Sequence, residues 1–133
     1  ISWWGVFYVE NKRPYIVHAT DFKQTDQITQ AIQSGPRLMV NGAIPKLKAG
    51  LSAKSALCIN ANLEVLFIAT QNKVEVMELA QFLQYPESRG GLGCIDALNL
   101  DGGASTQLYA QTKAFNLDLA IFVKIPVGLG VVR

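Results

Sequence analysis

The sequence predicts an α+β fold: a mixed, mainly antiparallel β-sheet with two principal helices packed on it. Three observations lead there. Short apolar runs rich in β-branched and aromatic residues recur along the chain, bounded by Gly, Pro and Asn. Two polar-apolar segments carry a helical spacing instead. The order is strands, helix, strands, helix, strands, with hairpins outnumbering regular βαβ alternation.

The N-terminal run Trp3-Trp4-Gly5-Val6-Phe7-Tyr8-Val9 ends at Glu10-Asn11-Lys12-Arg13-Pro14, and Tyr15 to His18 follows as the second arm of a hairpin. Trp3 and Trp4 fit edge packing in a small core better than a sugar-stacking platform. Thr25 to Gln33 reads as the first helix: Ile28, Ala31 and Ile32 form one stripe, with Thr25 or Asp26 as cap and Ser34-Gly35-Pro36 as stop. Leu38-Met39-Val40 is a short strand running into Asn41-Gly42, a dipeptide suited to the positive φ angles of a tight turn. Lys46 to Ser52 follows as an exposed loop.

Ser55 to Asn60 and Leu63 to Ala69 make a second hairpin across Ala61-Asn62, and their near-continuous apolar content implies cover on both faces. Val74 to Gln84 is the second helix, with Val76, Leu79, Ala80 and Leu83 on its apolar face. Pro86 and the glycines at 90, 91 and 93 end it. Cys94 to Leu100 is a buried strand, Gln107 to Ala110 another. Leu119 to Val123 and Leu129 to Val132 close the chain as two short strands.

Half of the 133 residues are hydrophobic and 17% are charged, which permits a real core. The length fits one domain, residues 1–133. A net charge of +2 from 12 basic and 10 acidic residues, scattered without blocks, argues against a nucleic-acid partner. The most apolar stretch, Leu117 to Val132, is broken by Asp118, Lys124 and Pro126, so no transmembrane segment is expected. No signal peptide is visible and the first residue is Ile1, so the expectation is a processed or excised chain. Cys58 and Cys94 sit in apolar runs and are expected as free, buried thiols; a bridge requires that their strands pair.

The most specific local chemistry lies at Asp101-Gly102-Gly103-Ala104-Ser105-Thr106. A buried strand delivers Asp101 to its end. The two glycines let the backbone turn sharply and bring N–H groups close to a ligand, and Ser105 and Thr106 add hydroxyls. An anionic side chain beside amides and hydroxyls suits a polar ligand containing sugar or phosphate. An Asp-Gly-Gly segment between two strands also serves simply as a turn.

Ordered segments around this loop extend the pattern. Ala31-Ile32-Gln33-Ser34-Gly35-Pro36-Arg37-Leu38 leads into Val40-Asn41-Gly42, then come Ser52-Ala53-Lys54-Ser55-Ala56, Glu78-Leu79-Ala80 and Asp96 to Thr106. From about Ala31 to Tyr109 the chain resembles the phosphodiester glycosidase family, the uncovering-enzyme-like domains. Lys54 stands where that family carries Arg, keeping the charge but losing the planar fork that suits phosphate. Ala104 replaces a third glycine, and the family's upstream Asn-Gly-Gly-Phe-like segment is expected to lie before this chain.

The resemblance implies hydrolysis of a glycosidic bond to a phosphodiester or related sugar-phosphate. Such cleavage needs a carboxylate at the anomeric carbon. A phosphate leaving group needs neutralisation by a cation more than it needs a strong acid. The implied roles are Asp101 as the carboxylate or base and Lys54 as the cation. Asn41, Asn99, Ser105, Thr106, Gly102 and Gly103 would hold sugar and phosphate oxygens. Glu78 is a second catalytic candidate, although a helical Glu more often caps or faces solvent. Asp96, an odd number of positions from Asp101 on one strand, points to the other face and reads as structural. His18 reads as a surface or core residue, and Arg37, at a strand start, as a surface residue at least as readily as a phosphate ligand.

No cofactor is required by the sequence. A divalent cation beside Asp101 is chemically reasonable, but its ligands cannot be counted from the sequence. The resemblance also implies a secreted or periplasmic setting and a sugar-phosphate or glycopolymer ligand. The competing reading is a catalytically inactive carbohydrate- or glycopolymer-binding domain of an envelope-associated protein. A purely structural interaction domain is a third.

Overall fold

The computed structural model describes residues 3–120 and 123–132. Its first strands are β1 (Gly5–Glu10), β2 (Arg13–His18), β3 (Ile28–Ser34), β4 (Arg37–Met39) and β5 (Leu51–Ser52). Then come β6 (Ser55–Asn60), β7 (Val65–Ala69), β8 (Val74–Glu75) and the helix α1 (Val76–Gln84). Strands β9 (Cys94–Asn99), β10 (Leu108–Gln111) and β11 (Asn116–Leu119) complete the order. Every strand pairing among the described residues is antiparallel, so the sheet is not mixed.

β1 and β2 form the expected hairpin, turned by Asn11 and Lys12 with φ of 49° and 64°. The first predicted helix is not formed. Residues Ile28–Ser34 are instead strand β3, and the described residues contain one α-helix rather than two. Ile28 and Ile32 are four apart, and that spacing shares a face in both a helix and a strand. The tie is broken by the open edge of β1, which supplies a full ladder from Gly5↔Ser34 to Glu10↔Ile28. A short isolated helix has nothing comparable to gain.

The central sheet has the order β4-β9-β6-β7. The β2-β1-β3 sheet covers one of its faces, where Phe7 and Ile16 meet Leu57, Ile59 and Leu98. Helix α1 covers the other, where Val76, Leu79 and Leu83 meet Leu38, Met39, Ala56, Cys58, Cys94 and Ala97. β6 therefore alternates its side chains between two apolar layers, as its unbroken hydrophobic run implied. Full burial of a Leu such as Leu57 or Leu83 contributes about 1.5–3 kcal/mol.

Cys58 and Cys94 are bridged, with Cα atoms 5.7 Å apart, which corrects the expectation of free thiols. The cause is topological: β6 and β9 are neighbours, and a bulge between Ile59 and Asn60 sets Asn60 opposite Cys94 while Cys58 faces Ala97. The helix begins at Val76, because Val74 and Glu75 pair with Ser52 and Leu51 as β8. That pairing also gives structure to the end of the predicted 46–52 loop.

Toward the C-terminus, β10 pairs with β11 at Leu108↔Leu119 through Gln111↔Asn116. β11 thus ends where the predicted Leu119 to Val123 strand was to begin, and residues 121 and 122 lie outside the described residues. The turn is closed by Thr112, whose Oγ1 accepts the N–H groups of Ala114 and Phe115. No Gly or Pro marks it in the sequence. Leu129 to Val132 forms no strand, although Leu129 packs on the core beside Leu98. No helix among the described residues is long and apolar enough to cross a membrane.

Candidate functional site

Strand β9 carries the chain to Asp101, and the polar loop that follows folds back onto the segment before β6. Leu100 N–H donates to Ser55 O at 2.8 Å, and Gly103 N–H donates to Ala53 O at 2.8 Å. Gly103 has a φ of 60°, the left-handed region that favours glycine. Gly102 is needed for closeness: a Cβ there would lie 2.7 Å from Ala53 O. A single 3-10 turn, Gly103–Ser105, ends the loop.

Ser105 N–H donates to Gly102 O and Thr106 N–H to Gly103 O. Three of the loop's amides are therefore committed inside the protein, which narrows the expected oxygen cradle. Thr106 is buried, and its Oγ1 pairs with Ser55 Oγ at 3.3 Å. It anchors the loop. Asp101 is exposed at the strand's end, and Ser105 is half-buried beside it.

Lys54 is brought to this loop through its backbone and is only 7% exposed. Its N–H donates to Thr70 Oγ1 at 2.8 Å and its carbonyl accepts Thr70 N–H at 2.9 Å. The ammonium donates to Gly50 O at 2.9 Å and to Ser52 Oγ at 2.6 Å. Lysine has three such donors, so these two bonds leave one uncommitted among the described residues. The Gly50 peptide is held from both sides, since its N–H donates to Glu75 Oε2 at 3.0 Å. The sequence carried no sign of the roles of Gly50, Ser52 and Ala53, which depend on how the 46–52 segment folds back.

Asn99 fastens the same end of the sheet. Its N–H donates to Pro36 O at 2.9 Å, and Nδ2 donates to Leu100 O at 2.9 Å and Gly35 O at 3.3 Å. Its Oδ1 is buried with no protein partner. Glu78 sits in the first turn of α1, exposed, with its carboxylate accepting Glu75 N–H at 3.4 Å. It helps line a separate, largely apolar cleft of about 240 Å³ with Thr70 and Phe82. Thr70, in the lining of that cleft, is bonded to Lys54, whose neighbour Ala53 accepts Gly103 N–H from the glycine loop.

Asn41 is not brought to the loop. It turns the chain with Gly42 at the far end of β9, where its N–H donates to Asp96 Oδ1 at 3.0 Å and Gly42 N–H donates to Ile95 O at 2.7 Å. About 17 Å of extended strand separates Asp96 from Asp101. Asp96 accepts a hydrogen bond in this turn, away from Asp101 along the strand. His18 Nδ1 accepts the N–H of Thr20 in a local turn. Arg37 lies opposite Leu98 and lines a cleft of about 250 Å³ with Trp3, Pro36, Pro45 and Lys46. No group of three or more His, Cys, Asp or Glu side chains suited to a metal ion occurs among the described residues.

The geometry places Asp101, Gly102, Gly103, Ser105, Thr106, Lys54 and Asn99 at one end of the central sheet, with Asn41 at the other. Residues 2–132 match the family described as phosphodiester glycosidase. The chain is 30% identical over 105 residues to the Escherichia coli protein named "Uncharacterized protein YigE", covering 76% of this chain and 39% of that one. It is similar in fold to the zebrafish N-acetylglucosamine-1-phosphodiester alpha-N-acetylglucosaminidase catalytic domain auto-inhibited by its pro-peptide. That likeness has a TM-score of 0.58 at 17% identity, over 77% of this chain and 41% of the other. The chain therefore spans about two fifths of the length of each of these two proteins.

Proposed function

Because the chain belongs to the phosphodiester glycosidase family, we propose that it carries a centre that hydrolyses the bond between a sugar and a phosphodiester. The observation that supports this best is the packing of the Asp101 loop on Ala53-Lys54-Ser55, which unites a carboxylate-bearing segment with a cation-bearing one. In this reading the Asp101 carboxylate stabilises or attacks the anomeric carbon, or removes a proton from the water that does. The C1–O bond breaks, its electron pair leaves with the phosphate oxygen, and water supplies the new hydroxyl. Lys54 uses its remaining donor to offset the charge gathering on phosphate, in a partly buried setting where that charge interaction is stronger than in water. Asn99 holds the Gly35–Pro36 wall, and Ser105 offers its hydroxyl to the ligand. Asn41 and Glu78 support the scaffold from their own positions.

The Cys58–Cys94 bridge favours an oxidising compartment, consistent with a secreted or periplasmic setting. The sugar-phosphate or glycopolymer ligand belongs to the same proposal. One feature favours the second reading, a binding domain without catalysis: two donors of the Lys54 ammonium are already taken by Gly50 and Ser52.

The test is release of reducing sugar from a methyl phosphodiester of N-acetylglucosamine, using wild type, Asp101→Ala and Lys54→Ala. The expected outcome is a loss of about 100-fold or more in Asp101→Ala, with a smaller loss in Lys54→Ala. Wild type that binds the diester without releasing sugar would select the binding domain. Full activity in Asp101→Ala would end the mechanism.

A further inference from the structure

The cleft beside Trp3 lies at the Asp101 end of the sheet and shares only the Pro36 wall with the site described above. Its lining of Trp3, Pro36, Arg37, Pro45 and Lys46 contains two cations and no carboxylate. A third cation stands at its edge: Lys48 Nζ lies 4.7 Å from the centroid of the Trp3 ring, over one face. The indole is still 41% exposed.

Surface lysines beside a tryptophan are common, so the relevant point is how firmly this group is shaped. Arg37 N–H donates to Trp3 O at 3.2 Å, fixing the chain before β1 against the start of β4. Gly35 permits that approach, since a Cβ there would lie 3.0 Å from Trp3 O. The Arg37 stem is held by Gly5, where a Cβ would come within 2.7 Å of its Cγ. Two prolines with restricted backbones supply the walls. The site is thus a concave pocket between a half-exposed indole and a guanidinium, on residues whose backbones are bonded to each other.

Those features suit one ligand chemistry. A guanidinium can bind phosphate through two parallel N–H donors, an ammonium adds charge, and an indole packs on the C–H face of a sugar ring. Pro36 O, in the wall, accepts Asn99 N–H, and Asn99 lies about 7 Å of strand from Asp101. A ligand of a few sugar-phosphate units could reach from this cleft to the glycine loop. We infer that the cleft is a second anion subsite, taking a phosphate carried on a sugar beyond the bond that is cut. Its place along the ligand rests on the proposed hydrolase reading; the binding itself does not.

Trp3 and Trp4 are the two tryptophans of the chain, so Trp4→Phe leaves Trp3 as the single fluorescent reporter. In that background, glucose 1-phosphate should change the emission saturably, and glucose at the same concentrations should not. Inorganic phosphate distinguishes the sources: weaker binding than glucose 1-phosphate means the sugar contributes, whereas equal binding removes the sugar from the inference. Lys46 is exposed and its replacement leaves the core untouched. Lys46→Gln should weaken glucose 1-phosphate about tenfold, as expected for one charge-assisted contact. Arg37→Lys should weaken it by a similar factor by removing the fork. Unchanged affinity in both variants, or an equal response to glucose, would overturn the subsite. Asp101→Asn in the same background separates the two proposals: it should abolish sugar release from the diester while the fluorescence titration stays as before.

Discussion

Two aspartates near opposite ends of β9 sit in different surroundings. Asp96, at the start of β9, accepts the Asn41 N–H and closes the Asn41-Gly42 turn. Asp101, just beyond its other end, is exposed above a loop packed on the Lys54 segment. The Asp96 end is further tied by the disulfide at Cys94 and by Gln84 Nε2, which donates to Gly42 O at 3.0 Å. The Asp101 end carries the unpartnered Asn99 oxygen, the ammonium with a spare donor and the aromatic cleft. One end commits its polar groups to holding the fold; the other leaves some without a protein partner. Polar groups left uncommitted cost stability and are retained where they act.

That contrast can be broken by substitutions at each end. The largest change in stability should follow removal of the bridge. Cys58→Ala with Cys94→Ala releases a closed loop with a sequence separation of 36, worth about 4 kcal/mol by chain entropy. Denaturant melts should show that loss, while sugar release per folded molecule stays within twofold of wild type. A large fall in specific activity would mean that the tied end also serves the chemistry.

Next is Gly102→Ala, where the added methyl must push against Ala53 O. Overpacking of this kind costs about 1–3 kcal/mol. Because it displaces the loop below Asp101, activity should fall by more than the melt predicts. Unaltered kcat/KM in a destabilised protein would make the loop a turn and nothing more.

Asp96→Ala should cost about 1 kcal/mol by leaving the Asn41 N–H to water, and should not change catalysis. The smallest effect lies in the outer sheet and serves as a control away from both ends. Burial, then the charge of Glu10 and the neighbouring Tyr15, pushes the Tyr8 phenol above its ordinary value of 10.0. The folded chain then holds that proton longer than the unfolded one. Its contribution is complete below pH 10.0 and is lost as pH rises through the raised native value. Tyr8→Phe should therefore flatten the alkaline decline in stability seen in melts, with no change in sugar release.

Much of the outline was readable in the residues. The Asn41-Gly42 turn, the β6–β7 hairpin, the body of α1 and the strand leading to Asp101 all follow from local patterns, because turn chemistry and apolar spacing act over a few neighbours. The family, and with it the interest of Asp101 and Lys54, was also carried by ordered motifs in the chain.

Other features depended on partners distant in sequence. Ile28 and Ile32 fit a helix or a strand equally, and the free edge of β1 chose the strand. Cys58 and Cys94 looked like isolated hydrophobes until β6 and β9 became neighbours. Asn41 and Asp101 belong to one motif series, yet they sit at opposite ends of the sheet because β4 runs antiparallel to β9. The sequence by itself determined the Asn41-Gly42 turn, the burial of β6 and β9 and which loop carries the carboxylate. Only the tertiary structure decided which of those groups meet, because strand pairing, unlike turn chemistry, depends on edges that other parts of the chain supply.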